Sequence, residues 1–432
     1  MALLPPSSVK RIAHLDVLRG VAILLVVLAH VPFTIPSGRY GADVLFAVKN
    51  WCGTGIDLFF VLSGFLISGL LYREYDRWGT INYARFIWRR GLKIWPAYYA
   101  FFGLLLVINV LWPCLEGARP HYWLVKKTWA SWVFLQNYAY NLWPHTWSLA
   151  VEEHFYIALP VVLWLLIRLH RKRERQHCFN SIPHIAALIC LIAIIGRAVS
   201  YYMSSGTNVL YIYVVTHLRL DGLMFGVLLG YLWHYRREQV VGFVARRRIV
   251  AAVSVALVLS ALVVPFESFI YTVFVYPALY VGFGGILVLT LCTAWSQCPA
   301  VMRRWAMPLT SSLRVMGIYS YTIYITHRCV LRVLPNMEAA LRDMFAARGL
   351  GPVAIDVLVI AVYLVLGLGS GILLSHIVER PVLRWREKHF PSLTSSVPKV
   401  QGDGRENVRK GVRSESVRKG VRKIFQAGYN SS

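Results

Sequence analysis

Ten apolar windows, each long enough to cross a lipid bilayer, constrain this chain more than any other feature. They fall at about 15–33, 53–71, 94–112, 148–167, 182–202, 217–235, 249–265, 270–293, 313–334 and 353–377. A hydrocarbon core about 30 Å thick calls for roughly 17–25 mostly apolar residues at 1.5 Å of helical rise each. Backbone N–H and C=O groups in lipid must be satisfied within their own segment, so runs of this length are expected to be helices. The expected fold is therefore all-α: a polytopic membrane bundle of about ten transmembrane helices.

Charge sets the expected orientation. The chain is 57% hydrophobic and carries a formal charge of +26, and its Lys and Arg fall between the apolar windows. That pattern belongs to a membrane protein with basic loops and argues against nucleic acid as a partner. With the N-terminus inside, segments 72–93, 168–180, 236–248 and 294–310 hold 6, 5, 5 and 2 Lys plus Arg. The opposite segments 31–50, 113–146, 203–216, 266–269 and 335–352 hold 2, 3, 0, 0 and 2. The positive-inside bias puts both termini in the cytoplasm. The first window lacks a cleavage site after it and reads as an uncleaved first helix.

Two stretches stand apart from the windows. Segment 113–147 is crowded with Trp and Tyr, as suits chain lying along the outer interface. The end of the chain repeats "VRKGVR" at 408–413 and 417–422, and 378–432 carries thirteen Lys plus Arg against five acids. Two domains are expected: a membrane domain over 1–386 and a basic cytoplasmic tail over 387–432, drawn to anionic lipid. The seven cysteines have no CxxC spacing and point to no metal site. Cys52 and Cys114 both fall on the outer side, as two thiols or a bridge.

Ionisable groups inside an apolar window cost about 2.5–3.5 kcal/mol each even on the lenient insertion scale, so each needs a reason. Window 1 contains "LDVLRGVAILLVVLAH", with Arg19 and His30 eleven residues apart, about 16 Å along a helix. Asp57 and Ser63 lie on window 2, Glu152, Glu153 and His154 on window 4, Arg219 and Asp221 on window 6, and His327 on window 9. The expected topology brings His30, Asp57, Glu152, Glu153 and His327 to the outer level. A histidine among carboxylates in a water-poor cavity suits general-base chemistry. At the inner level Arg19 joins Arg89, Arg90, Lys93 and Arg380, a group able to hold phosphates. Structural alternatives stand beside these readings: an Arg219–Asp221 salt bridge, first-turn helix acids at Asp57 and Glu152, and a small-residue packing step at Ser63-Gly64.

Several of these stretches, in the same order, resemble acyltransferase family 3, the polytopic membrane O-acyltransferases of bacterial surface saccharides, nodulation factors and macrolides. They are "LDVLRGVAILLVVLAH", "GIDLFFVLSGFLISGLL", "RFIWRRGLKIWPAYY", "WSLAVEEHFYIALP", "LRLDGLMFGVLLG", "GIYSYTIYITHRCV" and "VERPVLRW". The resemblance runs from about residue 12 to 386. It matches the family's first-helix Arg and His to Arg19 and His30, and its acid before a double Phe to Asp57. Its Trp-Ser and following acid match Trp147, Ser148 and Glu152. Lys93 stands where the family's cytoplasmic Arg-x-x-Arg has its second Arg, and Thr326 stands where it has a Trp before His327.

The resemblance implies transfer of an acyl group, commonly acetyl from cytoplasmic acetyl-CoA, to a hydroxyl of a cell-surface or lipid-linked saccharide at a bacterial inner membrane. In that reading His30 is the base, with Asp57 or Glu152 orienting it. Arg19, Arg89, Arg90 and Lys93 hold the donor, while Trp147, Ser148, Glu153 and His327 face the acceptor; no metal is called for. A covalent relay through Ser63 or Ser148 remains open at this level. The competing class is a proton-coupled transporter, with His30, Asp57 and Glu152 as a relay; hydropathy shows no inverted repeat to favour it.

Overall fold

The computed structural model describes residues 13–31, 39–108, 128–139, 143–170, 178–293, 300–330 and 337–390. Cys114, much of the aromatic segment after the third window and the basic tail beyond Phe390 lie outside these residues. The regular structure of the described residues is helical, with no strand among them. In order the helices are α1 (Ala13–Ala29), α2 (Arg39–Gly53), α3 (Gly55–Trp78), α4 (Tyr83–Leu106), α5 (Trp129–Trp132) and α6 (Trp147–Leu169). Next come α7 (Ile182–Met203), α8 (Val209–Val214), α9 (Leu220–Tyr235), α10 (Arg237–Val244), α11 (Arg247–Val263) and α12 (Tyr276–Cys292). The series ends with α13 (Ala300–Ile318), α14 (Ser320–Thr326), α15 (Met337–Ala346), α16 (Pro352–Leu374) and α17 (Arg380–His389).

A helix lies over each of the ten apolar windows. Five stretches of the described residues are long and apolar enough to cross a membrane: Val44–Trp78, Pro144–Leu169, Ile182–Met203, Tyr271–Cys292 and Pro352–His389. The ninth window is not one rod. Its helix breaks at Tyr319, between α13 and α14, so His327 follows a seven-residue helix instead of ending a long one. Two further departures are the π-helical turns Tyr271–Val275, leading into α12, and Ser375–Glu379, joining α16 to α17.

In lipid the hydrophobic effect cannot drive helices together, since tails are as apolar as leucine; close backbone approach at small residues does so instead. Two crossings obey that rule. A Cβ on Gly20 of α1 would collide with the Leu313 carbonyl of α13, and one on Gly317 of α13 with the Asp16 carbonyl of α1. Likewise Gly64 of α3 abuts the Leu223 carbonyl of α9, and Gly226 of α9 abuts the Val61 carbonyl of α3. The packing reading of Ser63-Gly64 thus describes Gly64 well. Around these crossings a buried apolar core joins α1, α3, α4, α6, α9 and α14 through residues such as Ile23, Phe60, Phe101, Phe155, Leu223 and Ile323.

Candidate active site

Arg19, Ser63, Arg90, Lys93, Ser148 and Glu152 line one cleft, together with Ser320, Tyr321 and Tyr324 from the region after the break. Helix α4 starts at an Asn82 cap, whose side chain accepts the Arg85 N–H, and runs its basic stretch along the cleft. Arg90 and Lys93, three apart, share one face of that helix and both reach the cleft. Arg89, one position away, points elsewhere: it bonds the Phe390 carbonyl and pairs with Glu387 of α17 at 3.3 Å. Three of the four cations expected to hold a donor therefore converge, and the fourth braces α17.

Glu152 is the acid of this cleft. Its two oxygens accept from Ser63 Oγ and from the Tyr156 hydroxyl, each at 2.8 Å. Tyr156 lies one turn along α6 and takes a hydrogen bond from Arg90, whose guanidinium sits 4.1 Å from the ring centroid. The phenol thus bridges guanidinium and carboxylate. Glu152 shares the cleft with Arg19, although topology had assigned the two to opposite levels. Glu153, on the next face of α6, is buried and accepts from Trp95 Nε1 at 3.2 Å.

His30 has a different neighbour from the ones expected. Its Nδ1 lies 2.8 Å from the Val26 carbonyl and 3.4 Å from His327 Nε2. A carbonyl can only accept, so Nδ1 carries the hydrogen and Nε2 keeps its lone pair, the form a general base requires. His327 is fixed the same way by the Tyr324 carbonyl, 2.7 Å from its Nδ1. Its ring centroid lies 5.1 Å from that of His30 and 5.3 Å from that of His145. Among the described residues neither Asp57 nor Glu152 bonds His30.

His145 was not singled out in the sequence. It sits on the 3₁₀ turn Pro144–Thr146 that opens α6, a short irregular stretch where no periodicity marks a buried position. Its Nε2 donates to the Ile325 carbonyl at 3.1 Å, which ties the turn to α14. Tyr324 completes the joint: its hydroxyl bonds the His145 carbonyl and Ser148 Oγ, and the residue also lines the cleft. The cleft and the histidines therefore meet at Tyr324, as they also do along α1, which carries Arg19 in its second turn and leads directly into His30.

Asp57 belongs to another cluster. It pairs with Arg219 at 2.6 Å, both side chains nearly closed to solvent, and Asp221 pairs with Arg197 at 2.7 Å. The expected Arg219–Asp221 bridge is thus exchanged for two longer-range ones, because residues two apart on a helix do not face each other. Aromatic rings enclose the Arg219 guanidinium: Tyr276 at 4.0 Å, Tyr213 at 5.3 Å, Phe60 at 5.7 Å and Trp147 at 5.8 Å. Trp147 is 5% exposed in this box. Among the described residues no group of three His, Cys, Asp or Glu is placed to hold a metal ion.

Comparison with known proteins bears on the family of the chain. A family model described as an acyltransferase domain matches residues 12–376. The protein named "Putative O-acetyltransferase SACOL0978" of Staphylococcus aureus (strain COL) is 28% identical over 242 residues, covering 52% of this chain and 36% of that protein. "O-acetyltransferase OatA" of Staphylococcus aureus (strain NCTC 8325 / PS 47) is 28% identical over 236 residues, covering 52% and 35%. The chain thus spans about a third of the length of these curated relatives. No solved structure matches.

Proposed function

The chain belongs to the acyltransferase family whose model covers it from the first helix to the last long one, and on that premise we propose that it is a membrane O-acyltransferase. It moves an acyl group, acetyl being the family's usual one, from cytoplasmic acyl-CoA to a hydroxyl of a cell-surface or lipid-linked saccharide. The observation that carries this reading is the joining of two sites by one helix. Arg19 of α1 lines a cleft with Arg90 and Lys93, and His30, directly after the same helix, has Nδ1 beside Val26 and His327 and so keeps a lone pair on Nε2. The named relatives act as support for the acyl-transfer class, being called O-acetyltransferases themselves. In this reading about ten helices cross the bacterial inner membrane, with both termini in the cytoplasm and the basic tail against anionic lipid.

The chemistry is set by the tautomer. A sugar hydroxyl is a poor nucleophile at neutral pH and needs a base within hydrogen-bond reach. His30 Nε2 takes the hydroxyl proton while that oxygen attacks the thioester carbonyl; the C–S bond then breaks and the CoA sulfur leaves with the electron pair. The developing imidazolium is steadied through Nδ1–H by the Val26 carbonyl and His327 Nε2. The cationic cleft meanwhile fixes the donor's phosphates, which lowers the entropic cost of aligning thioester and hydroxyl.

Membranes bearing the full chain, supplied with labelled acetyl-CoA and lipid-linked saccharides, should yield acylated saccharide. His30→Ala should lower the rate by roughly 10²–10⁴-fold, the usual worth of a positioned base, while donor binding and expression persist. Full transfer by His30→Ala would refute the base assignment. Proton-coupled uptake without any acyl transfer would point to a transporter instead.

A further inference from the structure

The arginines fall into two groups by what neutralises them. Arg89, Arg197, Arg219, Arg342 and Arg386 each lie within ion-pair distance of a carboxylate. Arg380 does not, among the described residues, although Glu379 precedes it in the chain. Glu379 is turned inward and buried, accepting from Ser375 Oγ at 2.7 Å. Arg380 remains exposed and is held by neutral groups alone. Its guanidinium donates to the Tyr319 hydroxyl and lies 4.9 Å from that ring's centroid. His376 stacks on the same ring, centroids 5.8 Å and planes 24° apart, with Nε2 3.1 Å from the same oxygen. The phenol can accept from Arg380 and donate to His376 at once, so three residues order one another without cancelling the charge.

Two departures from regular helix produce this arrangement. Tyr319 stands at the break between α13 and α14, and the two residues after it, Ser320 and Tyr321, line the cleft. Arg380 comes directly after the π turn Ser375–Glu379. One extra residue in a turn rotates the remainder of the helix by about 100°, and such bulges recur at functional sites. The result is an exposed guanidinium held on Tyr319, the residue directly before cleft-lining Ser320 and Tyr321, in a protein whose cleft is also lined by Arg19, Arg90 and Lys93.

We propose that Arg380, set in place by Tyr319 and His376, is the contact for the 3′-phosphate of the CoA donor. The inference rests on the donor reading above. In such a donor the diphosphate lies nearer the thioester and the ribose 3′-phosphate lies beyond it. The cations that line the cleft suit the first, and the exposed guanidinium held on neighbouring Tyr319 suits the second, with its planar fork matched to a phosphate dianion.

The test is equilibrium binding of radiolabelled CoA and of 3′-dephospho-CoA to the purified full chain in detergent. Wild type should prefer CoA by about tenfold, the scale of one charge-assisted contact. Arg380→Ala should bind both at the affinity wild type shows for 3′-dephospho-CoA, and Arg380→Lys should restore part of the preference. Should Arg380→Ala fold poorly by thermal melting, Tyr319→Phe, which removes the hydroxyl that holds the guanidinium, should still narrow the preference. An Arg380→Ala protein that keeps the preference, or weakens for both ligands alike, overturns the inference. If wild type binds both equally, the donor reading survives and this inference alone fails; if it binds neither, both fail together.

Discussion

Two regions of this molecule use the same residue types to opposite ends. In the enclosed cluster each cation has its own carboxylate: Arg219 with Asp57, Arg197 with Asp221, sealed among aromatic rings. In the cleft three cations line the walls with one carboxylate, and that acid is bonded by two hydroxyls rather than by a guanidinium. A matched set of buried charges needs no ligand to be stable. Cations that line a cleft are placed where an anion from outside can reach them. Placement of charge, more than the presence of charge, separates the two regions.

The largest expected effect tests the matched cluster. Asp57→Ala leaves Arg219 buried without its counterion and should cost about 3–5 kcal/mol of stability, seen as a lower melting midpoint in detergent. Replacing both partners, Asp57→Leu with Arg219→Met, should recover most of that loss, because an apolar pair of similar volume avoids the desolvation cost. If the double variant were stable yet inactive, Asp57 would serve chemistry as well as structure, and the contrast between the regions would weaken. Arg19→Ala should do the reverse of Asp57→Ala. It should leave melting close to wild type and weaken CoA binding by about tenfold or more, since a hydrogen bond to a charged group is worth roughly 1.5–3 kcal/mol. The smallest effect is expected at Arg89–Glu387, where Glu387 is 48% exposed. Glu387→Gln should change stability by no more than about 1 kcal/mol, and CoA binding should hold if Arg89 braces α17 rather than touching the donor.

How much of this was legible in the sequence depends on the range of the interactions. Hydropathy placed a helix over every window, because lipid leaves the backbone few choices. Arg90 and Lys93 were legible as a pair because three-residue spacing on one helix is a local property. The partner of Asp57 was not legible: it lies 162 positions away on another helix, and only packing decides the exchange that breaks the local Arg219–Asp221 reading. His145 was hidden for a similar reason, sitting on an irregular turn whose burial comes from α14. Trp147 was found as a motif residue, yet its neighbours turn it toward Arg219. The break at Tyr319 left no mark in hydropathy, since both sides of it are apolar.

The glycine crossings carry a consequence for genetics. At Gly20 and Gly317 the obstacle to a side chain is the backbone carbonyl of the facing helix, and no substitution on that helix can remove a carbonyl. A screen for restored accumulation of folded protein from Gly20→Ala should therefore return the original codon and few second-site suppressors. Gly91 offers the counterexample. There the atoms in the way belong to the Trp95 ring of the same helix, so a defect from Gly91→Ala should be relieved by a smaller residue at position 95. The map of suppressors, gathered without any assay of the enzyme, would trace where this bundle is held by main chain and where it is held by side chains.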